Sequence, residues 1–302
     1  MVPMASCRPA FRNGMLAFLA VTFATTWLPA WMLRDLWRVD TLPLAWRVLV
    51  CSFLYLSVIG WQPVVAVLLV RRYLEPPQAM DAGLRPSSGR FVFLGMMMPA
   101  LAMIGASLLA LALGHDAEQL QAQALAAPQG EKLWASILAI ALVLSASAFI
   151  YGQCLIEEVA WRGYFLVRAM ECAGPWRGLL VHGLLWGIWY APVLLLTSGS
   201  AGSWFKAAEF VVTCVLLGVL LGWLRLASRS IIPAVAANVV LTLGAGLPIL
   251  LSGSDAGARS AVYLPVGWVP LLLIACWLAF SRHKHAVVTP KPPRRVLSEA
   301  LH

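Results

Sequence analysis

Two carboxylates and a guanidinium fall within one short run, Ile156-Glu157-Glu158-Val159-Ala160-Trp161-Arg162-Gly163-Tyr164, of a chain that is otherwise poor in charge. On a helix Glu158 and Arg162 stand four residues apart on one face, where they can pair. Glu157 points about 100° away and is free to line a cavity with its own environment. A sheltered carboxylate within reach of water suits a general base. The same charges could instead cap a helix at a membrane interface, and the run alone leaves both readings open. Further along, His182, Trp186 and Tyr190 recur every four residues on one slowly drifting stripe. Trp186 and Trp189 read as packing groups or interface anchors. Asn238 and Thr242, again four apart, read as polar groups that bond neighbouring helices.

The elements that must carry these residues are membrane helices. The chain has 302 residues, 61% hydrophobic and 12% charged, with a mean hydropathy of +0.82. A soluble domain would be about a quarter charged to keep its surface wet. The apolar residues gather into blocks of about twenty, enough to cross roughly 30 Å of hydrocarbon. Backbone groups in lipid need internal partners, so such blocks are helices, and they lack the two-residue alternation of a membrane barrel. The fold class expected is all-α, a polytopic transmembrane bundle of about eight helices. Spans are placed at 15–33, 46–70, 91–114, 133–156, 178–197, 204–224, 231–251 and 262–280. They form one integral membrane domain over 1–280, followed by a basic, Pro-containing tail, 281–302, that reads as disordered. The first span is too long for a signal-peptide core and is kept as a helix.

With the N-terminus in the cytoplasm, 16 of the 22 basic residues fall on the inside. They include Arg71, Arg72, Arg85, Arg90, Arg162, Arg168, Arg177, Arg225 and Arg229. This bias follows the positive-inside rule for an even number of spans, with both termini cytoplasmic and a bacterial inner membrane as the setting. The net charge of +9 is thereby a matter of topology and attraction to anionic lipid, and no folded basic face is left for nucleic acid. The six cysteines are scattered without metal-binding spacing and read as small buried hydrophobes.

Taken together, the motifs resemble the CPBP family, the type II CAAX prenyl endopeptidases and bacteriocin-processing (Abi-type) intramembrane proteases. Glu-Glu-x-x-x-Arg-Gly at 157–163, Trp-Gly-x-Trp-x-x-Pro at 186–192 and Ser-x-x-Pro at 230–233 occur in the family's order, over a motif region at about 130–250. The approach Asp81-Ala82-Gly83-Leu84-Arg85 before a long helix is also similar. The resemblance implies an endopeptidase in which Glu157 activates water against a peptide carbonyl, with Glu158 and Arg162 in support. It further implies a membrane-associated peptide or protein substrate. In the family a Phe-x-x-x-His motif and a His-x-x-x-Asn motif follow, and the family may use a divalent metal such as zinc. Here Trp186 and Tyr190 stand in the first of these, and Asn238 and Thr242 in the second. Both imidazoles are missing, so a two-His zinc site is not available and no cofactor is expected. His182 lies two turns, roughly 12 Å, before Tyr190 and is a poor substitute.

Three functions are compatible with these residues. One is an active endopeptidase using Glu157, Glu158, Arg162, Tyr190, Asn238 and Thr242 without metal. Another is a pseudoprotease that binds or escorts a membrane partner. The third, a transporter, is disfavoured because no matching pair of Gly/Pro-broken helices appears in two halves.

Overall fold

The computed structural model describes residues 9–34, 60–75, 81–114, 149–197, 203–252 and 261–281, and among these it is helical with no strand. Helix α1 runs Pro9–Met32, α2 Gln62–Tyr73 and α3 Gly89–Ala112. Helix α4 covers 149–158 and passes without a break into a π-helical stretch, Val159–Phe165, and then α5, Leu166–Ala173. Helices α6 (Pro175–Thr197), α7 (Ser203–Ser228) and α8 (Ile232–Ser252) follow. A 3₁₀ turn, Ala261–Tyr263, leads into α9, Pro265–Ser281. The chain is a helical bundle, as its composition requires.

Among the described residues three helices are long and apolar enough to cross a membrane: Pro9–Met32, Gly89–Ala112 and Trp204–Ser228. Ile232–Gly244 and Pro265–Leu278 are apolar but shorter. Most of the expected span at 46–70 and about two thirds of that at 133–156 lie outside the described residues, as does the tail at 282–302. Large apolar side chains such as Leu28, Leu101, Ile104, Leu108 and Leu273 are exposed around the bundle. A surface of that kind belongs in lipid, and the protein is an integral membrane protein. Of the cysteines, Cys154 and Cys214 are buried, as expected of small hydrophobes. Cys276 is exposed, and Cys172 is disulfide-bonded to a partner outside the described residues, so the uniform reading of the six does not hold.

Polar contacts tie one end of the bundle together. The start of α1, the end of α2 and the start of α5 meet where the Arg168 guanidinium lies 3.9 Å from the Phe11 ring and donates to Glu75 at 3.1 and 3.2 Å. The Tyr164 hydroxyl donates to the same carboxylate at 2.8 Å. Burial first, and then the bond to Glu75 and its charge, push the Tyr164 phenol well up, so it stays a donor. Burial works most strongly against the charge of Arg168, but the bond to Glu75 together with the charges of Glu75 and Glu171 outweighs it and holds that pKa above the ordinary arginine value. Gly14 allows this approach, since a Cβ there would sit 2.8 Å from the Glu75 carboxylate.

The loop before α3 belongs to the same end. Gly83 has φ +71 and lies against the Arg225 guanidinium, which donates to the Asp81 carbonyl at 3.1 Å. Asp81 also pairs with Arg85. The Gly83 carbonyl accepts from the Ile231 amide at 2.9 Å, and the Arg85 carbonyl from the Ser230 hydroxyl at 2.6 Å. Gly163 lets this loop rest on the π-helical stretch, because a Cβ there would lie 2.8 Å from the Ala82 carbonyl oxygen. The Asp81–Arg85 segment is therefore a strap that fixes α3, the α7–α8 turn and the Glu-Glu-x-x-x-Arg-Gly run to one another.

Candidate active site

The two carboxylates of the first motif end in different surroundings. Glu158 is fully buried and accepts from Arg162, also fully buried, at 2.9 Å. The pair joins the last residue before the π-helical stretch to its fourth residue. Such insertions frequently mark functional sites, since they turn side chains that a plain α-helix would aim elsewhere. The Asn238 side-chain amide, from α8, donates to the same Glu158 oxygen at 3.1 Å. An ion pair held this far from water depends on both partners, and removing one leaves a buried charge that costs about 3–5 kcal/mol.

Glu157 turns toward α6. Its Oε1 accepts from the Trp186 indole N–H at 2.7 Å and from the Tyr190 hydroxyl at 2.9 Å. The same hydroxyl lies 3.1 Å from Oε2. With 4% of its surface exposed, Glu157 is nearly enclosed rather than set in an open, water-filled pocket. The covering groups are the Trp186 and Tyr190 rings, which meet edge to face at 5.9 Å.

Helix α6 holds these rings because it lies tightly on α7. A Cβ at Gly183 would come within 2.7 Å of the Val215 Cα, and one at Gly187 within 2.9 Å of the Val211 Cα. Trp189, on the neighbouring face, donates its indole N–H to the Thr26 hydroxyl of α1 at 2.8 Å.

The structure thus gathers Glu157, Glu158, Arg162, Tyr190 and Asn238 from α4, the π-helical stretch, α6 and α8. Thr242 does not join them. It is exposed, one turn further along α8, and its hydroxyl lies 3.9 Å from the Cys154 sulfur. Trp186, read from sequence as a packing group, is a direct partner of Glu157. His182 is buried among the Trp161, Phe165 and Trp186 rings, and neither of its ring nitrogens has a partner among the described residues.

The donor set does not fit zinc. Glu157 is met by an indole N–H, which has no lone pair to offer, and by a neutral phenol, while Asn238 spends an N–H on Glu158. Among the described residues no group of three His, Cys, Asp or Glu side chains could hold a metal ion.

The family model described as Type II CAAX prenyl endopeptidase Rce1-like matches residues 132–243. The motif segment is similar to that family. The matched stretch, less than half of the chain, contains every residue around Glu157 and Glu158 named above except those of α1. No curated protein matches the chain. Helices α1, α2, α3 and α9 fall outside the match, although α1 and α2 supply the Phe11 and Glu75 contacts that brace the matched segment.

Proposed function

We propose that the protein is a membrane endopeptidase of the CAAX type, in which Glu157 activates water for attack on a peptide bond of a membrane-associated peptide or protein. The observation that carries this reading is the unequal use of the two Glu157 oxygens. Among the described residues Oε1 takes hydrogen bonds at 2.7 and 2.9 Å, whereas Oε2 has the Tyr190 hydroxyl at 3.1 Å, with the Asn238 amide also within reach of the carboxylate. Oε2 is therefore the oxygen with a lone pair to accept a proton from water.

Water bound there loses its proton to Oε2 as its oxygen attacks the peptide carbonyl carbon. The neutral carboxylic acid so formed holds the Tyr190 proton less strongly. The hydroxyl can then turn and donate to the oxyanion that develops at the same moment, which is stabilisation reserved for the transition state. The proton on Glu157 passes to the leaving amine as the tetrahedral intermediate breaks, yielding a carboxylic acid and an amine; the acid then ionises and releases the second proton of the water. Glu158, Arg162 and Asn238 keep the motif helix in register during this cycle. No step passes through a metal. The strapped end of the bundle, with residues 157–177 and 225–230, faces the cytoplasm, and substrate is cut from the membrane domain.

A pseudoprotease remains the second reading, favoured by how closely Trp186 and Tyr190 enclose Glu157. Incubation of the purified protein with a panel of lipid-anchored and membrane-spanning peptides separates the two. The endopeptidase reading expects cleavage that Glu157→Ala abolishes. Peptide binding without cleavage, equal in wild type and Glu157→Ala, would support the pseudoprotease.

A further inference from the structure

Trp186 makes two contacts that join the halves of the first motif. Its indole N–H donates to Glu157 at 2.7 Å, and the Arg162 guanidinium carbon lies 3.9 Å from the centroid of the same ring. Arg162 in turn pairs with Glu158 at 2.9 Å. We propose that Trp186 is a positioning residue for Glu157, and that Arg162 acts through the indole ring to strengthen its hold on that carboxylate. The inference rests on the endopeptidase reading only for its effect on rate.

Each part has a physical basis. A cation over an aromatic face draws electron density from the ring, which makes the N–H on the edge more acidic and a better donor. The 2.7 Å separation is at the short end for an N–H···O bond. The ring also has little freedom to turn. The Arg162 guanidinium lies over it, the His182 ring lies nearly parallel at 19° and 6.5 Å, and Tyr190 meets it edge-on. The backbone beneath is fixed by the contacts of Gly183 and Gly187 with α7. The N–H direction is therefore set before any substrate arrives.

Sequence adds one more point. The resembling motif carries Phe at this position and His four residues later, and this chain carries Trp186 and Tyr190. Indole and phenol together supply N–H and O–H donors where the imidazole is absent. Trp186→Phe restores the motif's own residue, keeps an aromatic ring beside Arg162 and removes the donor along with part of the indole's bulk. Trp186→His returns an N–H without the indole.

The test is infrared spectroscopy of the full-length protein in detergent, with the Glu157 carboxylate band assigned by subtracting the spectrum of Glu157→Gln. The antisymmetric stretch should move to higher frequency in Trp186→Phe, as a strong donor is lost, and move back in Trp186→His. A band that stays in place in Trp186→Phe would overturn the proposal. Wherever cleavage is measurable, kcat should fall about 10- to 100-fold in Trp186→Phe with KM nearly unchanged, and Trp186→His should recover much of it. An unchanged kcat overturns the positioning role and leaves the endopeptidase reading intact. A shifted band in a protein that cleaves nothing does the reverse.

Discussion

Tyr190 donates its single hydroxyl proton to Glu157, and everything proposed for the chemistry depends on that proton being released at the right moment. Tyr190→Phe keeps the ring that packs on Trp189 at 4.6 Å and removes the hydroxyl alone. Loss of one transition-state donor of this kind lowers kcat by about 10²–10³, and steady-state kinetics with KM little changed is the expected result. The donor chemistry around Glu157 also predicts that the purified protein carries no stoichiometric zinc by elemental analysis. The double change Tyr190→His, Asn238→His supplies two imidazoles to the site and should raise bound zinc above the wild-type level. Of these residues, the Glu158–Arg162 pair was legible in the sequence because a spacing of four on a helix leaves little choice of partner. That Tyr190 and Asn238 would meet the two carboxylates could be read only through the motif. Trp186 was not, since an indole in a Gly-rich apolar helix looks like packing until the carboxylate 29 positions away is brought against it. Thr242 misled for the opposite reason: the four-residue spacing from Asn238 is kept, but it carries the hydroxyl one turn along α8 to Cys154.

At the scale of elements, the π-helical stretch and the strap that rests on it decide how the motif side chains are aimed. Gly163 is the contact point, and its replacement by alanine puts a methyl group 2.8 Å from the Ala82 carbonyl oxygen. Gly152 lies in the preceding helix with nothing within 4 Å of the corresponding position. Thermal unfolding in detergent should therefore separate the two changes. Gly163→Ala is expected to lose about 1–3 kcal/mol, and Gly152→Ala to be neutral or to gain up to about 1 kcal/mol. Sequence similarity to the family's Asp-Ala-Gly-Leu-Arg approach pointed to this loop, but not to what it touches. Its partners at Arg225, Ser230 and Ile231 are about 145 residues away. The Glu75 cluster was hidden in the same way, with Tyr164 and Arg168 lying 89 and 93 positions further on. Hydrophobic periodicity locates a helix, but it says nothing about which polar group at its end meets which.

For the whole molecule, composition was enough to read the class, because 12% charge cannot wet the surface of a soluble domain of this length. The contacts among the start of α1, the end of α2, the loop before α3 and the α7–α8 turn put Arg168 and Arg225 at one end of the bundle, among the described residues. If that end is cytoplasmic, Leu120→Cys and Pro290→Cys, each introduced singly into a cysteine-depleted protein, should react with impermeant reagents from opposite sides of the membrane. Labelling from the same side would contradict the topology.

The central claim is that water held by Glu157 opens a peptide bond, and the most direct measurement follows the oxygen atom. Cleavage of a membrane-anchored peptide in ¹⁸O-labelled water should place one heavy oxygen in the newly formed carboxylate, read by mass spectrometry, and Glu157→Gln should form no such product. Labelled product made equally well by Glu157→Gln, or a cleaved product that carries no heavy oxygen, would contradict the account.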